Sequence, residues 1–429
     1  MSDTTRTRPA AKSSRMSAAL GLPNLKGNEK FLAANLIDSL GNGTMLAFQI
    51  VFFIMTTDLN AAQVGGAVTA ARLISLPAPV LIGPVMDRFG ARTVMTGGNV
   101  ISAIAFVGFL AADQIWSVIA TGLLVQVGSS MFWTAQGALV GLAAQGADRT
   151  RWFGLIRVLR NIGLGAGGAL AAAALAIGGP SGLTWLVVLN AVSFAVAAWL
   201  IHTWRVSDRS PGPTAPAEAG TDGTEGGSGR EAATYADVLR DRRYLTLVAA
   251  NLAFVLASMV LSILLTVYVV EALDEGAWLG GVLLLINTLA VIFTQTIVTK
   301  RTERARPVTV LATAAAVNAV AFVAFSLVGA APDGLVLAGL VAATLIFTLG
   351  EMLSAPSMSE LSVTLASEAA RGRYLGLFQL SWGVGMAIAP VMFMTLFDVS
   401  STLPWLVLAG LMLVTIPLLL MLGKDRSHV

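Results

Sequence analysis

The sequence predicts an all-α membrane protein with twelve transmembrane helices in two pseudo-symmetric six-helix bundles. Of its 429 residues, 56% are hydrophobic and only 12% are charged, whereas about a quarter of the residues in a soluble domain are charged. The apolar residues form continuous runs of about 20 or more, the length at which a helix crosses a bilayer. Because the runs lack the two-residue alternation of barrel strands, we expect helices.

The predicted spans follow one another along almost the whole chain. Numbered in order from 1 to 12, they cover residues 30–56, 61–84, 93–112, 115–142, 152–177, 182–201, 244–270, 277–299, 308–329, 335–362, 374–397 and 402–422.

The distribution of Lys and Arg predicts how these spans are oriented. Arg72, Arg157 and Arg160 lie well inside spans, and the other 24 basic residues lie in the two tails, at the first residue of span 1 or in loops that follow even-numbered spans. The loops after odd-numbered spans contain acids but no Lys or Arg. By the positive-inside rule both termini are cytoplasmic, as in a multi-pass protein of a bacterial-type inner membrane. The basic residues are thus a topology signal, and we expect no nucleic-acid partner.

A polar segment divides the chain into two groups of six spans. Residues 207–233 are rich in Gly, Pro, Ser and Thr, a composition typical of flexible linkers. A short amphipathic helix is expected just after it, at the inner membrane surface. The predicted organisation is a cytoplasmic tail (1–27), an N-terminal bundle (28–205), a cytoplasmic linker (206–240), a C-terminal bundle (241–423) and a cytoplasmic tail (424–429).

The two bundles resemble each other in sequence. RTRWFGL at 149–155 matches RGRYLGL at 371–377, and VGGAV at 64–68 matches LGGVL at 279–283. Both halves run in the same direction, which predicts a parallel repeat with a binding site between the halves near the membrane midplane.

The composition excludes most catalytic and metal chemistry. The chain has no cysteine and only two histidines, His202 and His428, both in polar end segments. Disulfides, thiolate chemistry and a histidine metal site are therefore not expected. No nucleophile–base set or cofactor motif is visible, so we predict a protein that is not an enzyme and needs no cofactor or metal.

The loop after span 2 reads GPVMDRFGAR, residues 83–92. It resembles the signature of the major facilitator superfamily, G-x-x-x-D-R-x-G-R-[RK]. The resemblance implies the major facilitator fold, with a loop that latches the two halves together in the outward-open state. The equivalent loop TKRTERARP at 299–307 lacks the Gly and Asp, so the latch is expected on one side only. The matching residues are Gly83, Asp87, Arg88, Gly90 and Arg92, with Ala91 in place of a basic residue.

Span 5 contains NIGLGAGGALAA at 161–172. Its Gly163, Gly167 and Gly168 resemble the glycine pattern of the drug:proton antiporters in this superfamily, without that pattern's proline. The alternative is ordinary small-residue packing between helices. The resemblance as a whole covers residues 28–422 and implies a monomer that works by alternating access.

Polar residues form stripes on spans 1, 4, 7 and 10, each of which begins a three-helix group. The resemblance implies that these four spans line a central cavity. For the uncharged stripe residues, the alternative is hydrogen bonding between helices. Besides Asp38 and Glu351, the residues expected to line the cavity are Asn35, Asn42, Met45, Gln126, Trp133, Gln136, Asn251, Ser258, Thr348, Ser354 and Met358.

We expect function above all at Asp38 and Glu351, because a carboxylate inside a bilayer costs several kcal/mol and usually lines a pathway. Burial disfavours a charge, so both are expected to exchange protons or to bind a charged group of the substrate. Arg72, in the middle of span 2, is expected to pair with Asp38, functionally or as a purely structural ion pair. Arg157 and Arg160 are expected to extend toward the cytoplasmic interface, with a role in binding as the alternative.

Together these features predict a secondary active transporter that works by alternating access. The favoured function is proton-coupled efflux of small amphipathic or drug-like molecules. The Met and aromatic residues on the stripes predict an adaptable apolar cavity, which suits lipophilic and cationic substrates. Its partners would be the lipid bilayer, protons and a small-molecule substrate. Two alternatives stay open: a proton-coupled importer or facilitator of a sugar, peptide or organic ion, and a non-transporting sensor or lipid-handling protein with the same fold.

Overall fold

The computed structural model describes residues 23, 25, 27–46, 49–144, 147–205, 234–276 and 278–424. Within these ranges the regular secondary structure is helical throughout. Residues 1–22, 206–233 and 425–429, which carry most of the predicted tails and linker, lie outside the described residues.

The N-terminal half contains eight helices at the positions of predicted spans 1 to 6. Spans 1 and 2 are each built from two helices. The helices are α1 (Glu29–Leu46), α2 (Gln49–Thr56), α3 (Ala61–Ile74), α4 (Ala78–Phe89), α5 (Ala91–Phe109), α6 (Ile115–Ala143), α7 (Asp148–Gly179) and α8 (Ser181–Thr203).

The C-terminal half contains one short helix and the six that match spans 7 to 12. The short helix is the amphipathic helix predicted after the linker. The helices are α9 (Tyr235–Arg240), α10 (Arg242–Ala272, with π-helical turns at Val260–Leu264 and Tyr268–Ala272), α11 (Trp278–Thr302), α12 (Pro307–Val328), α13 (Asp333–Thr364), α14 (Arg371–Val399) and α15 (Leu403–Lys424).

Two helix boundaries follow directly from the local sequence. Gly179 has φ 53° and ψ −135°, a conformation that only glycine adopts without strain, and it separates α7 from α8. Between α3 and α4 the chain bends by 47°. Pro77 lies at this bend, where its missing N–H interrupts the helical hydrogen bonds.

The number of membrane-spanning helices agrees with the prediction only in part. Among the described residues, nine helices are long and apolar enough to cross a membrane, and eleven if the pairs α1–α2 and α3–α4 each form one span. The remaining predicted span is α5, which is not among them. The multi-pass helical fold is therefore confirmed, whereas the count of twelve is not confirmed exactly.

Each half has an apolar core of its own. In the C-terminal half, Trp405 is fully buried and its ring stacks on Phe325 with centroids 4.6 Å apart. In the N-terminal half, Phe31 stacks on Trp204 at 4.8 Å. Burial of large aromatic side chains stabilises the packing within each half, and Val363 and Leu375 of the C-terminal half also pack into the N-terminal core.

Long-range contacts bring distant chain segments together at one end of the bundle. Lys30 Nζ donates to Thr203 Oγ1 at 3.0 Å, which joins the start of α1 to the end of α8. Arg243 Nη2 donates to the carbonyl oxygen of Leu422 at 3.3 Å, which joins the start of α10 to the end of α15. We call this end, marked by Lys30, Arg92, Arg151, Arg243 and Arg373, the basic face.

Candidate functional site

Asp38 lies inside the N-terminal half, on α1, and is only 3% exposed. Its Oδ2 accepts a hydrogen bond of 3.0 Å from Asn42 Nδ2, one turn further along the helix. It borders a cavity with about 10 Å³ of space for the centre of a water molecule, which is room for about one water. The cavity is lined by Asp38, Asn42, Asn99, Ser102, Val125, Gly128, Ser129, Phe132, Trp133 and Phe194.

Glu351 lies on α13 and bridges the two halves. Its Oε1 is 2.6 Å from Nη2 of Arg157, which belongs to α7 of the N-terminal half. Its Oε2 accepts a hydrogen bond of 2.9 Å from Asn287 Nδ2 on α11. The carboxylate is thus held by one group from each half.

The expected extension of Arg157 toward the membrane interface is wrong. Its guanidinium turns inward to Glu351 and is about a fifth exposed. A carboxylate at contact distance in a medium of low dielectric attracts a guanidinium far more strongly than the same pair in water, so pairing replaces extension to the interface.

Arg160, three residues further along α7, also turns inward. Three residues is the spacing that places two side chains on one helix face, so it shares the face of Arg157. Its guanidinium carbon is 4.4 Å from the centroid of the Trp133 ring on α6. Its charge interacts with those of Arg157, Asp38 and Glu351, and among the described residues no carboxylate lies within 4 Å of it.

Arg160 also faces an open space within the bundle. Its side chain is exposed although its charge interacts with three other internal charges. The Trp133 ring beneath it also lines the small cavity beside Asp38, so the exposed side of Arg160 faces the interior of the bundle. The sequence contained a signal for this, namely two arginines three residues apart near the start of an apolar span.

Arg72 does not occupy the position predicted for it. It is exposed on α3, and no ion pair joins it to Asp38. The reason is that Asp38 turns into a cavity whose lining residues come from α1, α5, α6 and α8 and not from α3. The predicted Arg72–Asp38 pair is therefore wrong for this conformation.

Several residues of the predicted polar stripes bond to neighbouring helices. Gln136 Nε2 donates to Asn35 Oδ1 at 2.5 Å, which links α6 to α1. Asn251 Nδ2 donates to Ser381 Oγ on α14 at 2.7 Å. For these buried side chains the structure supports the alternative, hydrogen bonding between helices.

The span 10 stripe instead surrounds Glu351. Asn287 Nδ2 donates to Thr348 Oγ1 at 2.9 Å as well as to Glu351, and Ser354 Oγ donates to the Glu351 carbonyl oxygen at 3.2 Å. The remaining predicted lining residues divide by exposure. Met45 and Met358 are buried, whereas Gln126, Trp133 and Ser258 are partly exposed.

Two of the three glycines singled out on span 5 bring α7 against α1. A Cβ on Gly163 would lie 2.6 Å from Ser39 Cβ, and one on Gly167 would lie 2.8 Å from the backbone nitrogen of Thr44. Neither space can hold a methyl group. A Cβ on Gly168 would meet nothing within 4 Å, so this glycine has no packing role.

Asp87 joins α4 of the N-terminal half to α14 of the C-terminal half at the basic face. Its Oδ1 accepts a hydrogen bond of 2.5 Å from the backbone N–H of Gly372, and its Oδ2 is 2.6 Å from Arg373 Nη1. A Cβ on Gly83 would lie 2.8 Å from Arg373 Cα, so this glycine permits the close approach of the two helices. We call these contacts the first latch.

The other residues of the loop motif have different roles. Gly90 has φ 82° and makes the turn between α4 and α5, as glycine does most readily. Arg92 Nη1 donates to the Trp204 carbonyl oxygen at 3.0 Å, and Arg88 stacks over Phe89. Asp87 is therefore held by an arginine of the opposite half and not by the arginines of its own loop.

Helix α9 supports the first latch from the linker side. The Tyr235 hydroxyl donates to the Val80 carbonyl oxygen and lies beside Gly83. Burial raises the pKa of Tyr235 to about 12, so the hydroxyl keeps its proton and remains a donor at neutral pH.

A second latch joins α7 to the loop after α11. Arg151 Nε is 2.5 Å from Glu303 Oε2, and Arg151 Nη2 is 2.7 Å from Glu303 Oε1, which makes the pair bidentate. The hydrogen bonds from Arg151 hold the pKa of the Glu303 carboxyl below its ordinary value. Nearby, the Thr150 hydroxyl donates to Glu360 of α13.

The expectation of a latch on one side only is wrong. Arg151 and Arg373 hold the third position of the repeated segments RTRWFGL and RGRYLGL, and each binds a carboxylate of the other half. The loop at 299–307 lacks the motif but contains Glu303, and a bidentate arginine requires only a carboxylate within reach.

Two helical halves joined by an ion pair inside the bundle are the plan of a secondary membrane transporter. The chain belongs to the Major Facilitator Superfamily, whose sequence model matches residues 32–390. The resemblance seen in the loop at 83–92 is thereby confirmed.

Curated relatives match nearly the whole chain. Multidrug resistance protein MdtH of Cronobacter sakazakii is 25% identical over 402 residues, which cover 89% of this chain and 90% of that protein. The protein of the same name from Escherichia coli (strain K12 / DH10B) is 23% identical over 401 residues, 92% of each chain.

Solved structures share the fold. A bacterial homologue of the iron transporter ferroportin, in an outward-facing state, superposes with a TM-score of 0.73 at 15% identity and covers 93% of this chain and 100% of its own. The human organic anion transporter MFSD10 superposes with a TM-score of 0.64 at 15% identity, covering 96% and 100%. Likeness at this level of identity shows the fold alone.

Proposed function

We propose that this protein is a proton-coupled exporter of small amphipathic, drug-like molecules that works by alternating access. The observation that carries the proposal is the ion pair between Arg157 and Glu351, which joins the two halves inside the bundle. The similarity to multidrug resistance proteins over almost the full chain supports export of drug-like molecules.

Protonation of this ion pair can change how the two halves are arranged. A proton on Glu351 neutralises the carboxylate and removes its attraction for Arg157, so the contact between α13 and α7 weakens. Asp38, in the N-terminal half, provides a second carboxylate, whose charge interacts with that of Arg160 on the same helix as Arg157. Proton and substrate thereby influence each other through residues shared between the halves.

The membrane orientation belongs to the same proposal. The positive-inside rule makes the basic face cytoplasmic, with both termini inside a bacterial inner membrane. Both latches then close the cytoplasmic side, which corresponds to the outward-facing state of a monomer. In this scheme the bundles at 28–205 and 241–423 move against each other, and residues 206–240 connect them.

Uptake into inverted membrane vesicles with an acidic interior tests the proposal. We expect accumulation of at least one compound from a panel of amphipathic dyes and drugs, abolished by a protonophore and strongly reduced in Asp38→Asn and Glu351→Gln. Glu368→Gln is the matched control, because the Glu368 side chain is 86% exposed and its variant should transport normally.

The other outcomes separate the alternatives. Proton-driven accumulation in right-side-out vesicles would identify an importer. Well-folded protein that moves none of the compounds in either direction would favour a sensor or lipid-handling role. Transport that survives both substitutions would show that the two carboxylates do not couple protons to transport.

A further inference from the structure

We propose that Arg160, stacked on Trp133, binds an anionic group of the substrate, so that the preferred substrates are amphipathic organic anions. The inference deepens the proposed function and rests on it only in taking the space beside Arg160 as the substrate path. It reverses the expectation of cationic substrates that the apolar stripes suggested.

Of the four charged residues inside the described part of the bundle, three are bonded to neighbouring side chains and one, Arg160, is not. Glu351 and Arg157 are engaged with each other at 2.6 Å. Asp38 is 3% exposed and bonded to Asn42. Arg160 alone is both exposed and without a carboxylate within 4 Å among the described residues. A molecule that enters this space therefore meets a positive charge first.

The geometry of Arg160 suits a carboxylate or sulfonate. The guanidinium carbon lies 4.4 Å from the centroid of the Trp133 ring, which restricts the side chain, and no carboxylate of the described residues binds its N–H groups. A planar fork of N–H donors matches the two oxygens of a carboxylate. The ring and guanidinium together form a rigid platform, so little side-chain freedom is lost when an anion binds.

Arg157 strengthens the preference for a negative charge. It lies on the same face of α7, its charge interacts with that of Arg160, and its Nε is buried without a hydrogen-bond partner. The two like charges repel each other. Glu351 and Asp38 are already bonded to Arg157 and Asn42, so an anion beside Arg160 would reduce this repulsion, whereas a cation there would be repelled by Arg160.

Binding of three compounds with the same naphthyl body tests the proposal directly. Naphthylacetate, naphthylacetamide and naphthylethylammonium would be titrated into the purified full-length protein in detergent at pH 7 and followed by calorimetry. We expect the carboxylate to bind about tenfold more tightly than the amide, as a charge-assisted hydrogen bond typically allows, and the ammonium to bind most weakly.

Variants assign the preference to Arg160. In Arg160→Gln the three affinities should converge to within about twofold, whereas Arg160→Lys, which keeps the charge but not the fork, should retain a reduced preference for the carboxylate. Arg72→Gln is the matched control, since Arg72 is exposed on α3, and it should behave as the wild type.

Wild-type protein alone can overturn the proposal, whether or not the variants fold. Equal affinities, or tighter binding of the ammonium compound, would contradict it, and so would a carboxylate preference that survives in folded Arg160→Gln. The titration needs no proton gradient. If the protein prefers the anion but shows no proton-driven transport, the proposed export function is contradicted and the proposed anion binding at Arg160 still stands.

Discussion

Single residues in this protein matter mainly through the charges they face. Arg157 and Glu351 are each about four-fifths buried. Removing one of them leaves an unpaired charge inside the protein, whereas removing both leaves no unpaired charge. A single substitution should therefore destabilise the protein more than the double substitution does.

A double-mutant cycle measures this dependence. We expect Arg157→Met to lower the free energy of unfolding by about 3–5 kcal/mol, with a similar loss in Glu351→Met. The combination Arg157→Met/Glu351→Met should recover much of that loss. Thermal and denaturant unfolding in detergent would give the coupling energy. Strictly additive losses would mean that the two side chains do not interact in solution.

Glu303 makes the pH response of the second latch predictable. Its pKa is lowered by the hydrogen bonds from Arg151, so the folded carboxyl stays ionised below the ordinary pKa of Glu. The ion pair stabilises the folded protein fully at a pH above the ordinary pKa of Glu, and this stabilisation is lost as the pH falls through the lowered pKa of Glu303.

The second latch should therefore remain closed at mildly acidic pH and open only at a pH below about 4.3, the ordinary pKa of Glu. Since the chain has no cysteine, spin labels can be attached to introduced cysteines on α7 and beside Glu303, and their separation measured against pH. Glu303→Gln should open the latch at every pH. A transition near neutral pH in the wild type would contradict the assignment.

At the scale of helices, the contact between α1 and α7 decides where the internal charges lie. Gly163 and Gly167 let the two backbones meet next to Ser39 and Thr44. The contact places Asp38 on α1 near Arg160 on α7. Small residues are the usual means of bringing helices this close in a membrane.

Alanine substitutions separate packing glycines from the rest of the motif. Gly163→Ala and Gly167→Ala should each reduce thermal stability and transport, because the added methyl group forces α7 away from α1, with a cost of about 1–3 kcal/mol. Gly168→Ala, whose methyl group would meet open space, is the control and should change little. Equal effects at all three positions would mean that the glycines do not act through the contact between α1 and α7.

Over the whole molecule, two latches related by the internal repeat close the basic face. Asp87 binds Gly372 and Arg373, and Arg151 binds Glu303, so each half supplies one arginine and one carboxylate. Alternating access requires both latches to break. A hydrogen bond to a charged group contributes about 1.5–3 kcal/mol, so the two latches together strongly favour the closed face.

Removing the latches one at a time and together should shift the population stepwise. Asp87→Asn and Glu303→Gln should each increase the fraction of molecules open at the basic face, and the double variant should be mostly open, since distant sites act almost additively. Distances between spin labels placed on α4 and α14 would report the populations. A double variant no more open than either single one would show that other contacts hold the face closed.

The sequence by itself determined the class of protein and most of its helices. Apolar runs of bilayer length require helices, because backbone groups in lipid must bond within their own segment. The loop motif led to the family, and the cost of a charge in lipid pointed to Asp38 and Glu351. These features depend on the local sequence and on the membrane environment, so they can be predicted without knowing which residues come into contact in the folded protein.

Only the tertiary structure decided which charges meet. Arg72 was expected beside Asp38 and lies exposed, whereas Arg157, expected at the interface, pairs with Glu351, 194 positions further along the chain. Glu303 lies outside any motif and still forms a latch. Ion pairs form between groups that packing brings within about 4 Å, and the packing of α7 against α13 and α11 follows from contacts between the halves, which no local pattern in the sequence records.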